Sequence, residues 1–155
     1  MGINIRFSNE VDIITKLNEP VQELHKKLYP EIFKNYSYLE TKRHLQKQVK
    51  DENWKCLLAA YDGVDVGYAL FFIREYMENS FRNSYKGIHI DEISVLGGYK
   101  NKGIGKALMN EIYIYAKENG ATQIELLRWE KNEEAKIFYE KQGFETQMRF
   151  IVKKI

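Results

Sequence analysis

Gly87–Lys106 reads GIHIDEISVLGGYKNKGIGK: an apolar strand, a short turn, and a Gly- and Lys-rich opening to a helix. A strand that ends this way at a helix N-terminus makes an anion site. The first N–H groups of a helix have no partner within it, the helix dipole adds positive potential, and glycines let an anion approach the backbone. Downstream, Ile104, Leu108, Ile112 and Tyr115/Ala116 recur at helical spacing, and Asn119-Gly120 is a C-terminal stop, so a helix is predicted over 103–119. Two familiar phosphate loops do not fit. Gly98 to Gly103 has the first half of the P-loop spacing, but Ile104 and Gly105 follow where Lys and Ser/Thr are required. Gly103 and Gly105 open a G-x-G-x-x-G, but the third position is Leu108 and no βαβ start lies upstream. What remains is a basic residue, two intervening residues and Gly-x-Gly, after a strand ending at Val95.

Working outward, Trp54–Tyr61 and Asp65–Arg74 read as strands joined by an Asp62-Gly63 hairpin turn. The second contains VGYALFFI, apolar on both faces, and belongs inside a covered sheet. Residues 3–7 read as a first strand. Pro20 and Pro30 bracket a short helical pattern from Val21 to Tyr29, and a second helix runs from about Tyr38 to Asp51 with Leu39, His44/Leu45 and Val49 on one stripe. Residues 75–86 form a polar loop. After the 103–119 helix come a strand at 123–129, a helix at 132–141 and a last strand at 144–152. The order is βαα-βββ-αβαβ: a mixed sheet flanked by helices.

Composition bounds the function. The 155 residues suit one domain (1–155), and 44% hydrophobic with 14% aromatic content argues against disorder. A net charge of +2 is too small to imply nucleic acid. The single cysteine, Cys56, excludes an internal disulfide framework and fits a reducing cytosol. No apolar run is long enough to span a bilayer and MGINIRFSNE lacks a signal-peptide block, so the expectation is a cytoplasmic protein without a membrane partner. No linker, low-complexity tract or repeat divides the chain.

Lys100-Asn101-Lys102-Gly103-Ile104-Gly105, after the strand I-D-E-I-S-V, resembles motif A of the GNAT superfamily of acyl-CoA-dependent N-acetyltransferases, Arg/Gln-x-x-Gly-x-Gly/Ala. Lys100 stands where that pattern has Arg or Gln; it keeps the charge and loses the planar donor geometry. Asn132-Glu-Glu-Ala135-Lys-Ile-Phe138-Tyr139-Glu-Lys-Gln-Gly143-Phe144 is similar to motif B, N-x-x-A-x-x-F-Y-x-x-x-G-F. The two occur in family order and at family spacing, and the resemblance runs from about 54 to 147. It implies an α/β (α+β) fold with a GNAT-like, mixed, mostly antiparallel sheet, splayed between the strands at 87–95 and 123–129.

The resemblance also implies a chemistry. Acetyl-CoA is the co-substrate, its diphosphate on the N–H groups around Asn101, Lys102, Gly103, Ile104, Gly105 and Lys106, with Lys100 adding charge. Its pantetheine arm pairs with the backbone of Ile93, Ser94 and Val95, one of whose N–H groups would bind the oxyanion. Asn132, Ala135 and Phe138 face the cofactor, and Tyr139 protonates the departing thiolate. On residues alone Asn132 is a helix N-cap and Tyr139 an amphipathic packing residue. For the base, Asp91 and Glu92 are adjacent and face opposite sides of a regular strand, and a bulge would exchange them. In some polyamine- and sugar-amine-modifying members a carboxylate falls at Asp91, which ranks it above Glu92; either could act through water or only attract a cationic amine. His89 and Asp91 share a face at i, i+2, but no third ligand is evident, so no metal site is assigned. Tyr29, Glu31, Tyr36, Tyr38, Glu75 and Glu78 could embrace an ammonium group. His25, His44 and Cys56 read as packing or surface residues, and Trp129 lies near enough to motif B to touch the cleft.

The expected activity is acetyl transfer from acetyl-CoA to a primary amine, of a small molecule or a peptide, by direct attack in a ternary complex. A competing class is a non-catalytic CoA- or nucleotide-binding sensor, and the weakest is nucleic-acid binding. A homodimer is common in the family resembled.

Overall fold

A computed structural model describes residues 2–155. Five strands, β1 (Ile3–Phe7), β2 (Trp54–Tyr61), β3 (Val64–Tyr76), β4 (Tyr85–Val95) and β5 (Gln123–Leu126), form one sheet in chain order. The first three pairings are antiparallel and β4–β5 is parallel. Helices α1 (Val11–Leu28) and α2 (Tyr38–Gln48) precede β2, α3 (Ile104–Glu118) connects β4 to β5, and α4 (Glu133–Lys141) follows β5. The mixed, mostly antiparallel sheet flanked by helices is the fold expected from the sequence.

The two faces of the sheet read directly off β2 and β3. Leu57, Ala59, Ala69 and Phe71 point to one side, where Ile104, Leu108, Met109, Ile112 and Ala116 of α3 cover them. Cys56, Leu58, Tyr68 and Leu70 point to the other, against Ile14 and Leu17 of α1 and Leu45 of α2. Burying one such aliphatic side chain is worth about 1.5–3 kcal/mol, which is why β2 and β3 carry apolar residues at consecutive positions. The β2–β3 turn has Asp62 at φ 49° and Gly63 at φ 83°, the two positive φ values a two-residue type I′ hairpin requires.

Five local expectations change. Pro20 does not precede the first helix but lies inside α1, which begins at Val11. Pro20 cannot donate to the preceding turn, yet burial of Ile14 and Leu17 against the sheet outweighs the lost bond. On α2 only Leu45 of the expected stripe is buried, and Leu39 is exposed. The polar loop shortens because β3 runs to Tyr76 and β4 starts at Tyr85, with those two rings stacked 4.2 Å apart. β5 stops at Leu126, because Arg128 turns back to donate to the carbonyls of Trp129, Glu130 and Asn132. Finally, 144–152 is not a strand: Gly143, at φ 88°, ends α4, and 145–155 are exposed with no strand beside them among the described residues. Among the described residues no helix is long and apolar enough to cross a membrane.

Candidate active site

The site grows from an irregularity in β4. Ile90 pairs with Phe71 of β3 and Glu92 with Leu70, so Asp91 is an extra residue, a β-bulge. Before the bulge Ile88 and Ile90 face α3; after it Ile93 and Val95 pack on that same core. Glu92 and Ser94, registered with Leu70 and Tyr68, are thereby turned to the α1 side. The bulge also marks where the sheet opens. β5 pairs with β4 only from Gly87 to Ile90, so among the described residues the outer edge of β4 from Asp91 to Val95 has no strand partner. This is the splay between the two strands, and Ile93, Ser94 and Val95 present their backbone along it.

At the end of β4 the chain turns sharply. Leu96 N–H donates to Val66 O at 2.8 Å, a single 3-10 turn spans Gly97–Tyr99, and Asn101 (φ 62°) and Gly103 (φ 82°) are both left-handed. Gly103 is the N-cap of α3, and no side chain caps this end. The first N–H groups of α3, Ile104 to Lys106, therefore lack helix partners, and successive amides in such a turn form a concave anion receptor. The residues present thus suit a diphosphate. Gly105 has a different reason to be glycine: a Cβ there would meet Phe138 Cε1 at 2.9 Å, so the residue lets α4 close on α3. Lys100 pairs with Glu134 of α4 at 2.5 Å, and Lys102 lies 5.4 Å from the Tyr61 ring centre. The Lys100 pair is exposed and weak, so an anion could compete for that ammonium.

Glu92 is the most perturbed carboxylate near the opening. Asn18 Nδ2 of α1 donates to its Oε1 at 2.9 Å, the Tyr68 hydroxyl donates to the same oxygen, and Asn18 also reaches the Tyr68 oxygen at 3.1 Å. Among the described residues, Oε2 has no hydrogen-bond partner. Burial pushes the Glu92 carboxyl up to about 7; the Tyr68 and Asn18 hydrogen bonds oppose this, and the Asp91 charge adds to it. Asp91 itself is exposed on its bulge. Tyr139 sits half-buried on α4, its ring against Phe138 and Phe144 at 5.1 and 5.3 Å. Burial, and after it the charge of Glu92, raise its phenol well above the ordinary value. The carboxylate and the phenol thus face one electrostatic environment, although 47 positions separate them in the chain.

The remaining sequence candidates divide clearly. Asn132 caps α4, its Oδ1 accepting from Ala135 N–H at 3.1 Å, and Ala135, Phe138 and Tyr139 form a half-buried face of that helix. Tyr36 and Tyr38 spend their hydroxyls on Thr15 O and Asp12. Glu31 pairs with Lys154, and Glu75 with Lys86. Tyr29, Phe33 and Trp129 form an aromatic cluster that ties the end of α1 to the loop after β5, and Lys131 N–H donates to the Tyr29 hydroxyl at 3.0 Å. His25 stacks on Phe33, and burial lowers its pKa. His89 faces Glu125 Oε2 at 3.3 Å, and Cys56 is buried. Asn18 and Tyr68 are not among the candidates the sequence offers. Tyr68, a lone hydroxyl within an apolar strand, was the visible signal; Asn18 was hidden because its helix was placed too late.

Residues 18–144 match the family model described as acetyltransferase (GNAT) family. An uncharacterized N-acetyltransferase of Mycobacterium tuberculosis is 32% identical over 88 residues, 57% of this chain and 51% of the relative. The chain thus spans about half the length of the curated relatives it matches. Among solved structures, a tetramutant of the BH1408 protein from Bacillus halodurans superposes with TM-score 0.92 at 22% identity, over 98% of this chain and 99% of the other. The aminoglycoside N-acetyltransferase AAC(6')-Iy, in complex with CoA, superposes with TM-score 0.71 at 19% identity, over 99% and 94%. At these identities the two structures speak to the fold.

Proposed function

The chain belongs to the acetyltransferase (GNAT) family, and from that premise we propose that it transfers an acetyl group from acetyl-CoA to a primary amine of a small molecule. The observation that carries this is Glu92 and Tyr139 in one electrostatic environment, beside the unpaired edge of β4 and the uncapped start of α3. The likeness in fold to an aminoglycoside N-acetyltransferase in complex with CoA supports a small-molecule acceptor.

The diphosphate of CoA lies on the amides of Ile104, Gly105 and Lys106, with Asn101, Lys102 and Gly103 shaping the turn and Lys100 exchanging Glu134 for the anion. The amides of the pantetheine arm add to β4 at Ile93, Ser94 and Val95 as a further strand would. Ala135 and Phe138 flank the arm, and Asn132 holds the start of their helix. An amine arrives as an ammonium ion, drawn by the exposed Asp91. Glu92, with a carboxyl near 7, takes one ammonium proton directly or through water at neutral pH. This makes Glu92 the preferred base and gives Asp91 the steering role. The free amine attacks the thioester carbonyl, an N–H on the β4 edge stabilises the oxyanion, the C–S bond breaks as Tyr139 gives its proton to the thiolate, and the second proton of the attacking nitrogen returns, directly or through water, to the Tyr139 phenolate while Glu92 releases its own to solvent. Once Glu92 has become neutral, the charge that helped raise the Tyr139 pKa is gone, and the phenol becomes the better acid. Products are the N-acetyl amine and CoA thiol.

The test is calorimetry with acetyl-CoA followed by thiol release over a panel of polyamines, aminoglycosides, amino acids and peptides. Binding with release on at least one small-molecule amine is expected. Binding without release on any amine favours the non-catalytic sensor, and no binding at millimolar acetyl-CoA defeats both.

A further inference from the structure

Two polar residues stand at apolar positions on the α1 side of the sheet. Asn18 continues the stripe of Ile14 and Leu17 at helical spacing, where a Leu would extend it. Tyr68 is 0% exposed, clustered with Ile14, Leu17, Leu45, Leu58 and Leu70, where a Phe would fill the same space. Among the described residues, the Tyr68 hydroxyl hydrogen-bonds only to Glu92 and Asn18, and the Asn18 amide only to Glu92 and Tyr68. Burying polar groups in this way is costly unless something uses them. The three side chains close a triangle in which every hydrogen is spent. The Tyr68 hydroxyl donates to Glu92 Oε1; one hydrogen of Asn18 Nδ2 goes to that same oxygen at 2.9 Å, the other to the Tyr68 oxygen at 3.1 Å. An amide nitrogen has two hydrogens to give and a carboxylate oxygen two lone pairs to fill, so Oε1 has no place left for a proton. Oε2 has no hydrogen-bond partner among the described residues. The buried side-chain oxygens in that condition are Gln48 Oε1 and Glu125 Oε1, so Oε2 is reached from outside.

We propose that Asn18 and Tyr68 are positioning residues for acetyl transfer: together they bind Glu92 Oε1 and so commit Oε2 to the ammonium proton of the acceptor. This rests on Glu92 being the base. Tyr68 does not relay the proton onward, because its ring is enclosed and its oxygen meets only the other two members of the triangle. The proton therefore arrives and leaves at Oε2. Both donors favour the charged carboxylate and oppose the burial that pushes it up to about 7. The titratable groups bearing on Glu92 are Tyr68 from β3, Asp91 beside it on β4 and Tyr139 from α4, while α1 brings the neutral Asn18; His44 of α2 and His89 of β4 bear on Asp91.

Carboxyl NMR titration of glutamate-labelled protein tests the triangle without an acceptor, the Glu92 signal being assigned by its loss in Glu92→Gln. Tyr68→Phe removes one oxygen and keeps the packing of the ring; Asn18→Leu keeps the volume and removes both donors. Each is expected to retain the wild-type circular dichroism and to move the Glu92 midpoint upward by about one pH unit. With an acceptor from the amine panel, the rise of kcat/KM with pH is expected to move up by the same amount. At neutral pH kcat is expected to fall by roughly tenfold or more while acetyl-CoA affinity holds, and neither substitution lowers turnover further once Glu92 is Gln. A midpoint unmoved or lowered in the folded variants overturns the positioning role and leaves Glu92 as the base, as does a loss of turnover that simply multiplies with that of Glu92→Gln. Wild-type turnover in Glu92→Gln defeats the base, and the positioning with it.

Discussion

Replacing Glu92 with Gln is expected to make the protein more stable, and more so the higher the pH. The carboxyl goes from 4.5 in an unfolded chain to about 7 in the fold, chiefly through burial. A raised carboxylate binds its proton more tightly when folded. Its contribution is therefore fully present below pH 4.5 and is lost as pH climbs through 7 and the fold must hold a charge in a poorly solvated place. With about 1.36 kcal/mol per pH unit between those two values, the wild-type chain gives up roughly 1 kcal/mol by pH 5 and roughly 3 kcal/mol by pH 8. Gln keeps an Oε1 that can accept from both Tyr68 and Asn18, so the hydrogen bonds survive while the charging penalty disappears. Urea denaturation of both proteins at pH 5 and pH 8 measures the effect. The advantage of Glu92→Gln is expected to grow by about 2 kcal/mol between the two conditions. An advantage that is equal at both pH values, or that shrinks, would refute the claim that Glu92 is held against its charge. The same titration has a kinetic face: wild-type kcat/KM for acetyl transfer is expected to rise with pH through about 7, and in Glu92→Gln to be lower and without that rise.

Further outcomes follow from the geometry. Tyr139→Phe is expected to lower turnover by tens- to thousands-fold with little change in acetyl-CoA affinity by calorimetry; unchanged turnover removes the phenol from proton transfer. Gly105→Ala drives a methyl into Phe138, whose nearest ring carbons lie 2.9 and 3.2 Å from that position. Overpacking of about 1–3 kcal/mol outweighs the ~0.5–1 kcal/mol an alanine gains in a helix, so the melting temperature falls, and a rise would show that the two helices do not close there. Cys56, buried and with its thiol pushed up to about 12, is expected to ignore a thiol reagent at pH 8 until the chain is unfolded; labelling within minutes would contradict its burial.

What could be read from the sequence had a local cause. The Asp62-Gly63 hairpin is fixed by two positive φ values, α3 by its apolar period, and the α4 cap by the Asn132 side chain. The turn at 101–103 was visible because its backbone is left-handed at Asn101 and Gly103, the residue types that tolerate that conformation. What could not be read depended on distant partners. Pro20 signals a helix boundary in isolation, yet tertiary burial of Ile14 and Leu17 carries α1 through it. The strand expected at 144–152 finds no neighbouring strand among the described residues. The Asn18–Tyr68–Glu92 cluster joins three elements, so no window of sequence contains it.

Asp91 illustrates why the carboxylate pair could be seen but not resolved. In a strand of unbroken alternation Glu92 would share the α3 face with Ile88 and Ile90, while Ile93 would turn to the α1 side. The chain needs the reverse, with Ile93 and Val95 in the α3 core and a carboxylate beside Asn18 and Tyr68. One extra residue achieves both changes at once, since it shifts every later side chain to the opposite face. The bulge sits where β5 stops pairing, so the residue that turns Glu92 toward α1 also borders the part of β4 that β5 leaves unpaired. Position and charge therefore divide between neighbours: the place of Asp91 in the ladder sets the direction of Glu92, and in the mechanism proposed the exposed carboxylate of Asp91 draws the ammonium.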